Sequence, residues 1–444
     1  MHNDLDEIAT PTELASKGFQ IRYGVIAISV AMAFMLYLDR VCLGEIVKNA
    51  SFQEEFGASK ESIGRVLGAF FFSYALFQIP AGWLSDRYGA RITLTIYILS
   101  WSLLTGITGF ASSLTGLLIA RLACGVAQAG AYPTSGGLIR KWYPTKSRGS
   151  ASSWVSMGGR IGGTTAPYLT ALLIWQLGSW RSVLYVYCWI GVVVAAGYFW
   201  VIRNSPQEHP MIDADELKAI GHRPDPERPT LAELWPLLWA CCCNRSLWLN
   251  SLAQLSTNIG WVFLITWLPT YLSESKGVDA LKGAAMVSIV LAVGIPGQLI
   301  GGLASDIAVR RFGLRLGRVI TPAIASSIAG LAYFACLGLD SVWAIVFCCA
   351  IVSMMTDIGN PSTWAFMQDI GGRNTATIYG WANMWGNLGA SFGSLMVPKL
   401  LTWGQSSGSG QAMVFIACGS AFFVSAFAML GMDATRPIGR VCNS

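Results

Sequence analysis

The chain is 444 residues long, 53% hydrophobic and only 12% charged, with a mean hydropathy of +0.51, whereas a soluble domain carries roughly 25% charged residues. That excludes an ordinary cytosolic enzyme, and a division into soluble domains gives way because the apolar runs reach the ~20 residues that cross a bilayer. The net charge of +6 comes without a basic arm or an aromatic stacking motif, so no nucleic-acid partner is expected.

In chain order, residues 1–20 hold Asp4, Asp6, Glu7 and Glu13 and no early basic cluster, which predicts a cytoplasmic N-terminal tail and no secretory leader. Apolar runs follow at 21–47, 62–84, 92–111, 113–139, 148–177, 181–202, 245–272, 281–304, 318–338, 341–367, 374–402 and 411–432. With no water in the hydrocarbon core, each run must satisfy its own backbone, so runs this long predict helices and not barrel strands. The predicted fold class is an all-α membrane protein with twelve transmembrane helices. Its six-helix bundles span 21–202 and 245–432, joined by a cytoplasmic central loop over 203–244 and followed by a cytoplasmic tail over 433–444. The central loop is marked by Pro206, Pro210, Pro224, Pro226 and Pro229 among charges such as Asp213, Asp215, Glu216 and Lys218.

With alternate loops assigned to one side, twenty of the thirty Lys and Arg fall on the side of the termini and central loop, and seven on the other. That bias sets those segments in the cytoplasm of a multi-pass cell-membrane protein. The remaining three, Arg40, Arg121 and Arg160, lie within spans. An arginine there costs about 2.5–3.5 kcal/mol on insertion scales, so these three imply protein-lined, wet surroundings with anionic partners.

The eleven cysteines are odd in number and sit mostly in apolar runs without paired spacing, so no disulfide framework is expected. Cys241, Cys242 and Cys243 have only His2, His209 and His222 to draw on, and the reading is apolar packing with no metal site and no cofactor. No nucleophile motif, metal-ligand spacing or phosphate loop appears, which argues against an enzyme with catalytic residues. The Gly158–Gly163 stretch lies inside an apolar run and reads as a packing surface.

Helical spacing groups the polar residues inside the spans. Tyr37 and Arg40 share a face, as do Arg121, Gly125, Gln128 and Tyr132. Asp357, Pro361 and Trp364 form another set, and Gln254 with Asn258 and Asn383 with Asn387 are i, i+4 pairs. For each of these, helix-to-helix hydrogen bonding and ligand contact are both open. Asp39 and Asp357 are alternative structural partners for Arg40, and Arg160 is assigned no role.

Gly82-Trp83-Leu84-Ser85-Asp86 is echoed by Gly302-Leu303-Ala304-Ser305-Asp306 at an offset of 220 residues, half the chain. Duplicated halves of this kind are a transporter architecture with the site between them. The first copy continues as Arg87-Tyr88-Gly89-Ala90-Arg91. Glycines permit a tight turn and close helix approach, while Asp86 can sit at a neighbouring helix N-terminus and pair with arginines.

This ten-residue segment resembles the loop signature of the major facilitator superfamily. Within it, Tyr37-Leu38-Asp39-Arg40, Phe77-Gln78-Ile79-Pro80-Ala81-Gly82, Tyr132-Pro133 with Lys141-Trp142, and Thr266-Trp267-Leu268-Pro269-Thr270-Tyr271-Leu272 are similar to the anion:cation symporter family. That family includes sugar-acid transporters, hexuronate transporters and sialin. The resemblance covers nearly the whole chain. It implies that Arg40 binds the substrate carboxylate and that Tyr74, Ser362, Thr363 and Trp364 contact substrate, and helical position adds Tyr37, Gln128 and Asn383 to the candidate contacts. The resemblance also implies that Asp39 and Arg121 couple a proton, and that Gly82, Asp86, Arg87, Gly89, Arg91 and Asp306 form a latch present in one conformational state. One departure stands out. Many family members carry a proton-coupling glutamate where this chain has Gln128, which cannot titrate.

The resulting expectation is a secondary transporter, acting as a monomer, that moves a small organic anion such as a hexonate or hexuronate by alternating access, with proton symport through Asp39. A uniporter or exchanger, a sodium-coupled transporter and a transporter-like nutrient sensor are the alternatives. Two arginines in excess of Asp39 in the first half favour an anion over the cation of a multidrug exporter.

Overall fold

The computed structural model describes residues 20–57, 59–221, 228–405 and 410–438. The predicted N-terminal tail, save Gln20, lies outside the described residues, as do Lys17, His2, His222, Arg223, Pro224, Pro226, Arg440 and Cys442.

Helices account for the fold. They are α1 (Ile21–Ile46), α2 (Ala50–Phe56), α3 (Lys60–Tyr88), α4 (Ala90–Thr108), α5 (Leu114–Gln128), α6 (Ala131–Trp142), α7 (Arg148–Leu177) and α8 (Trp180–Val201). The chain continues through α9 (Ala214–Ile220), α10 (Leu234–Cys243), α11 (Arg245–Val262), α12 (Leu268–Thr270), α13 (Ala280–Ala335), α14 (Val342–Ile370), α15 (Thr375–Gln405) and α16 (Gly410–Leu430). Ser113, Ser179 and Asn244 begin α5, α8 and α11 by accepting backbone N–H bonds, as N-cap side chains do. Among the described helices, eight are long and apolar enough to cross a membrane, and the molecule is a multi-pass membrane protein. Helices α7 and α15 are as long but less apolar, being rich in glycine and hydroxyl residues.

Four runs differ from their expected shape. The run 113–139 is broken between α5 and α6 at Ala129 and Gly130, where a Cβ on Gly130 would lie 2.1 Å from the Tyr97 ring and where Pro133 withholds an N–H. The run 245–272 passes after Val262 into π-helical turns at Phe263–Trp267 and Tyr271–Ser275 around the short α12 that holds Pro269, a widening that accommodates local disruption of the α-helical ladder. The expected loop between the runs 281–304 and 318–338 is helical except at Gly313, whose φ of 77° and ψ of 174° turn the chain inside α13. The central loop holds α9 and α10, and α9 has a packing role. Its buried Glu216 accepts the backbone N–H groups of Ile21 and Arg22 at 3.0 and 2.9 Å, compensating the positive end of α1.

Within 21–201, α1 packs on α7 and α8, α3 on α5, and α4 on α8 and α5; within 245–430, α11 packs on α15 and α16, and α13 on α14 and α16. Between these sets, α3 and α6 meet α15 while α7 meets α13 and α14. The buried core has an informative distribution. One cluster, with Met35, Phe52, Leu117, Trp180 and Tyr187, is confined to the first set, and a second, with Phe263, Tyr271, Tyr333 and Phe415, to the other. A third, with Trp142, Tyr143, Phe366, Ile370 and Tyr379, draws on both. The two sets of helices therefore share an apolar core at one end, and at the other each keeps its own.

Candidate functional site

At the shared end, the two Ser-Asp pairs of the repeat do matching work. Asp86 accepts the backbone N–H groups of Ala376 and Thr377 at 3.0 and 2.8 Å and the Thr377 hydroxyl, and so caps α15. Asp306 accepts the N–H groups of Gly149 and Ser150 at 3.0 and 2.8 Å and the Ser150 hydroxyl, and so caps α7. Each carboxylate thus sits on the positive end of a helix from the opposite set. The helices touch there because neither glycine has a side chain: a Cβ on Gly82 would lie 2.3 Å from the Ala376 carbonyl oxygen, and one on Gly302 2.6 Å from Ser153 Oγ. Gly89, at φ 88°, makes the turn between α3 and α4.

The arginines of the signature act differently from the pairing expected with Asp86. Arg87 donates to the Pro229 carbonyl at 2.9 Å, and Arg91 donates to that of Phe199 at 2.9 Å while stacking on its ring. Both are drawn away because Asp86 is already occupied by backbone donors. Arg148 instead forms an ion pair with Asp369 across this end, and Arg318, which pairs with Asp369 at 2.8 Å within its own set, crosses by donating to the Thr145 carbonyl at 2.6 Å. Sequence reasoning missed this buried cluster, since Arg148 and Arg318 lie at run ends and were read as loop charges that orient the spans.

Midway along the molecule lies a cavity of about 150 Å³ lined from both sets of helices, including Tyr37, Arg40, Tyr74, Arg160, Trp364 and Asn383. The Arg40 guanidinium is stacked against Tyr74, Tyr37 and Phe70 at 4.5, 5.0 and 5.2 Å and donates to Gln128 Oε1 at 3.3 and 3.4 Å. It makes no ion pair with any described carboxylate. Neither Asp39 nor Asp357, the alternative partners considered from sequence, takes it. Asp357 is paired with Arg160, while Asp39 lies sealed behind the cavity with both carboxylate oxygens unbonded, near Arg121 and the indole of Trp101. Arg121 is buried beneath Arg40, donating to its carbonyl at 3.3 Å.

Gln128 is buried outside the cavity lining. Its carbonyl oxygen orients Arg40, so it touches the cavity only through that guanidinium and not as the direct contact expected. Ser362 and Thr363 also depart from expectation. Ser362 bonds to Ser305 and to the Arg318 carbonyl at 3.0 Å each, and Thr363 bonds to the Gly359 carbonyl at 3.2 Å. Successive helical residues point about 100° apart, so Trp364 faces the cavity and its two predecessors do not. Asn383 does face it, donating to Gln78 Oε1 at 2.6 Å. Two lining or supporting residues, Gln298 and Asn360, went unread. Gln298 stands 220 residues after Gln78, the offset of the Gly82 and Gly302 repeat, and that register was the available signal.

An unneutralised guanidinium beside amides and phenols suits a carboxylate or sulfonate carrying hydroxyl groups. Among the described residues, no group of three or more His, Cys, Asp or Glu is placed to hold a metal ion.

Comparison with known proteins gives a concordant result. The model of the Major Facilitator Superfamily matches residues 29–394. A probable sulfoacetate transporter of Cupriavidus necator is 30% identical over 82% of this chain and 83% of its own. A D-galactonate transporter of Escherichia coli is 29% identical over 95% and 98%, and a probable galactarate/D-glucarate transporter of Bacillus subtilis 26% identical over 96% and 94%. Among solved structures, a proton:xylose symporter bound to 6-bromo-6-deoxy-D-glucose superposes with a TM-score of 0.68 at 15% identity, over 94% of this chain and 97% of the other. At that identity the likeness concerns the fold alone.

Proposed function

The chain belongs to the major facilitator superfamily and is a transporter, not an enzyme, and we propose that it carries a small organic anion, a sugar acid such as a hexonate or hexuronate, across the cell membrane by alternating access. The observation that carries this reading is Arg40, held in place by three rings and an amide yet left without a counter-ion in a central cavity. Such a cation acquires its counter-charge from the ligand. The relatives named for galactonate, galactarate, glucarate and sulfoacetate agree with it.

In this reading, α1, α3, α4, α5 with α6, α7 and α8 make six spans, and the α11 region, the two arms of α13, α14, α15 and α16 make six more. The termini and the central loop are cytoplasmic, and the monomer is the working unit. The end bridged by Asp86, Asp306 and Asp369 is then the cytoplasmic one, and the cavity is open to the outside. Tyr37, Tyr74, Trp364 and Asn383 enclose the ligand, and the amides of Asn258 and Asn387 offer hydroxyl partners. Proton symport uses Asp39, whose neutralisation would release the field of Arg121 toward Arg40. Gln128 in place of a titratable group is the one observation that favours uniport or exchange instead.

Thermal unfolding of the purified chain tests the reading against gluconate, galactonate, glucuronate, galacturonate, glucarate and sialic acid. A ligand at a hundredfold its dissociation constant stabilises the folded state by about 2.7 kcal/mol. At least one sugar acid should raise the midpoint while the parent neutral sugar does not. Equal shifts from neutral sugars would remove the anion reading.

A further inference from the structure

A second guanidinium faces the same cavity. Arg160 lies on α7, its side chain about a quarter exposed, with its face on the Trp261 ring at 4.2 Å. It reaches Asp357 through Nη2 alone, which leaves the rest of its fork of donors directed at the cavity it lines. The contrast with the closed end is direct: there Arg318 spends its donors on Asp369, Ser305, Asp306 and the Thr145 carbonyl. Asp357 for its part has partners besides Arg160. Its Oδ1 also accepts from Gln298 at 2.9 Å and from Asn360 at 3.5 Å, while its buried Oδ2 has no partner. Between Arg160 and Arg40 stands Tyr132, whose phenol lies in the field of both guanidinium groups. The lining residues include both arginines and no Asp or Glu.

Resting on the anion-transport reading above, we propose that Arg160 forms a second acid subsite and that the preferred ligand is a short organic dianion, with one acidic group on Arg40 and the other on Arg160. A monoanion satisfies Arg40 and leaves Arg160 with Asp357. A dianion engages the free donors of Arg160, and Gln298 and Asn360 hold Asp357 as the pair loosens. Guanidinium suits this exchange because its planar fork binds two acceptors side by side. Gln128 adds to the preference, because an ionised side chain there would offset the charge of Arg40 and lower the net positive charge offered to a dianion.

The test compares matched ligands that differ by one acidic group: galactonate with galactarate, and acetate with sulfoacetate. Calorimetric affinities are measured on the purified full-length chain. In at least one pair the dianion should bind about tenfold or more tighter, equivalent to 1.4 kcal/mol. Arg160→Gln should bring that ratio close to one, the ratio within a pair and not either affinity alone being the readout. Asp357→Asn, which frees Arg160, should keep the ratio or widen it, and it decides the matter if Arg160→Gln does not fold. Equal affinities within both pairs, a ratio that survives in Arg160→Gln, or one that narrows in Asp357→Asn would overturn the proposal. Binding of none of the four by a folded parent would overturn the anion reading, and this subsite with it.

Discussion

Arg40 shows how a half-buried charge is kept available. Three aromatic faces and one amide oxygen hold the guanidinium in place without cancelling its charge, since a ring quadrupole attracts a cation far less than a carboxylate does. Lysine would keep the charge but lose both the stacking and the two-pronged contact. A hydrogen bond to a charged group contributes about 1.5–3 kcal/mol, so Arg40→Lys should lower affinity for the transported acid by about tenfold or more. Calorimetry on the purified variant checks this, and parental affinity would place the carboxylate elsewhere. Helical spacing was enough to place Tyr37 beside Arg40, because three residues return to one face. The same spacing parts Trp364 from Ser362 and Thr363, because a helix must point such neighbours apart, and it was the resemblance that joined all three. Spacing within one helix did not identify the Arg160 and Asp357 pair, which forms between α7 and α14.

Two aspartates, each at the end of one helix and on the start of another, make the closed end a pair of equivalent clasps. The repeat at an offset of 220 residues was legible as sequence, but its targets, the N-termini of α15 and α7, lie 290 and 156 residues away and carry no motif of their own. Breaks such as that at Gly130, and the π-helical turns around Pro269, likewise arise from neighbours like Tyr97 more than from local composition. Losing an N-cap charge costs about 1 kcal/mol. Asp86→Asn combined with Asp306→Asn should therefore loosen the closed end by about 2 kcal/mol, as the two clasps share no hydrogen-bond partner. Spin labels introduced as Lys146→Cys and Arg311→Cys, with the exposed Cys242 and Cys243 replaced, should report a longer distance in the double variant. An unchanged distance distribution would show that the buried Arg148, Arg318 and Asp369 cluster holds that end by itself.

For the molecule as a whole, the distribution of buried cores bears on the proposed mechanism. A core shared at one end and split at the other is what the proposed alternating-access cycle requires of one of its states, in which the clasps would have to open as the far end closes. Composition was sufficient to reveal the membrane body, because apolar length is imposed by the bilayer. Which end is shared could not be read in advance, since apolar residues occur at both ends of the spans and only their packing tells the ends apart. Charge count then constrains the energetics. Arg160 is matched by Asp357 and Arg121 lies beside Asp39, while Gln128 cannot carry a proton. For a monoanionic acid such as galactonate, Asp39 alone would bring one proton with each negative charge, and the loaded carrier would cross with no net charge. A membrane potential does about 2.3 kcal/mol of work per unit charge per 100 mV, close to fiftyfold in accumulation, and none on a neutral cycle. In proteoliposomes, an imposed pH gradient should therefore drive galactonate uptake and a potential at equal pH should not. Asp39→Asn should abolish uphill uptake and retain exchange of galactonate for galactonate, which needs no net proton movement. Uptake driven by potential alone, or uphill uptake persisting in Asp39→Asn, would transfer the coupling role to another ion or to Asp357.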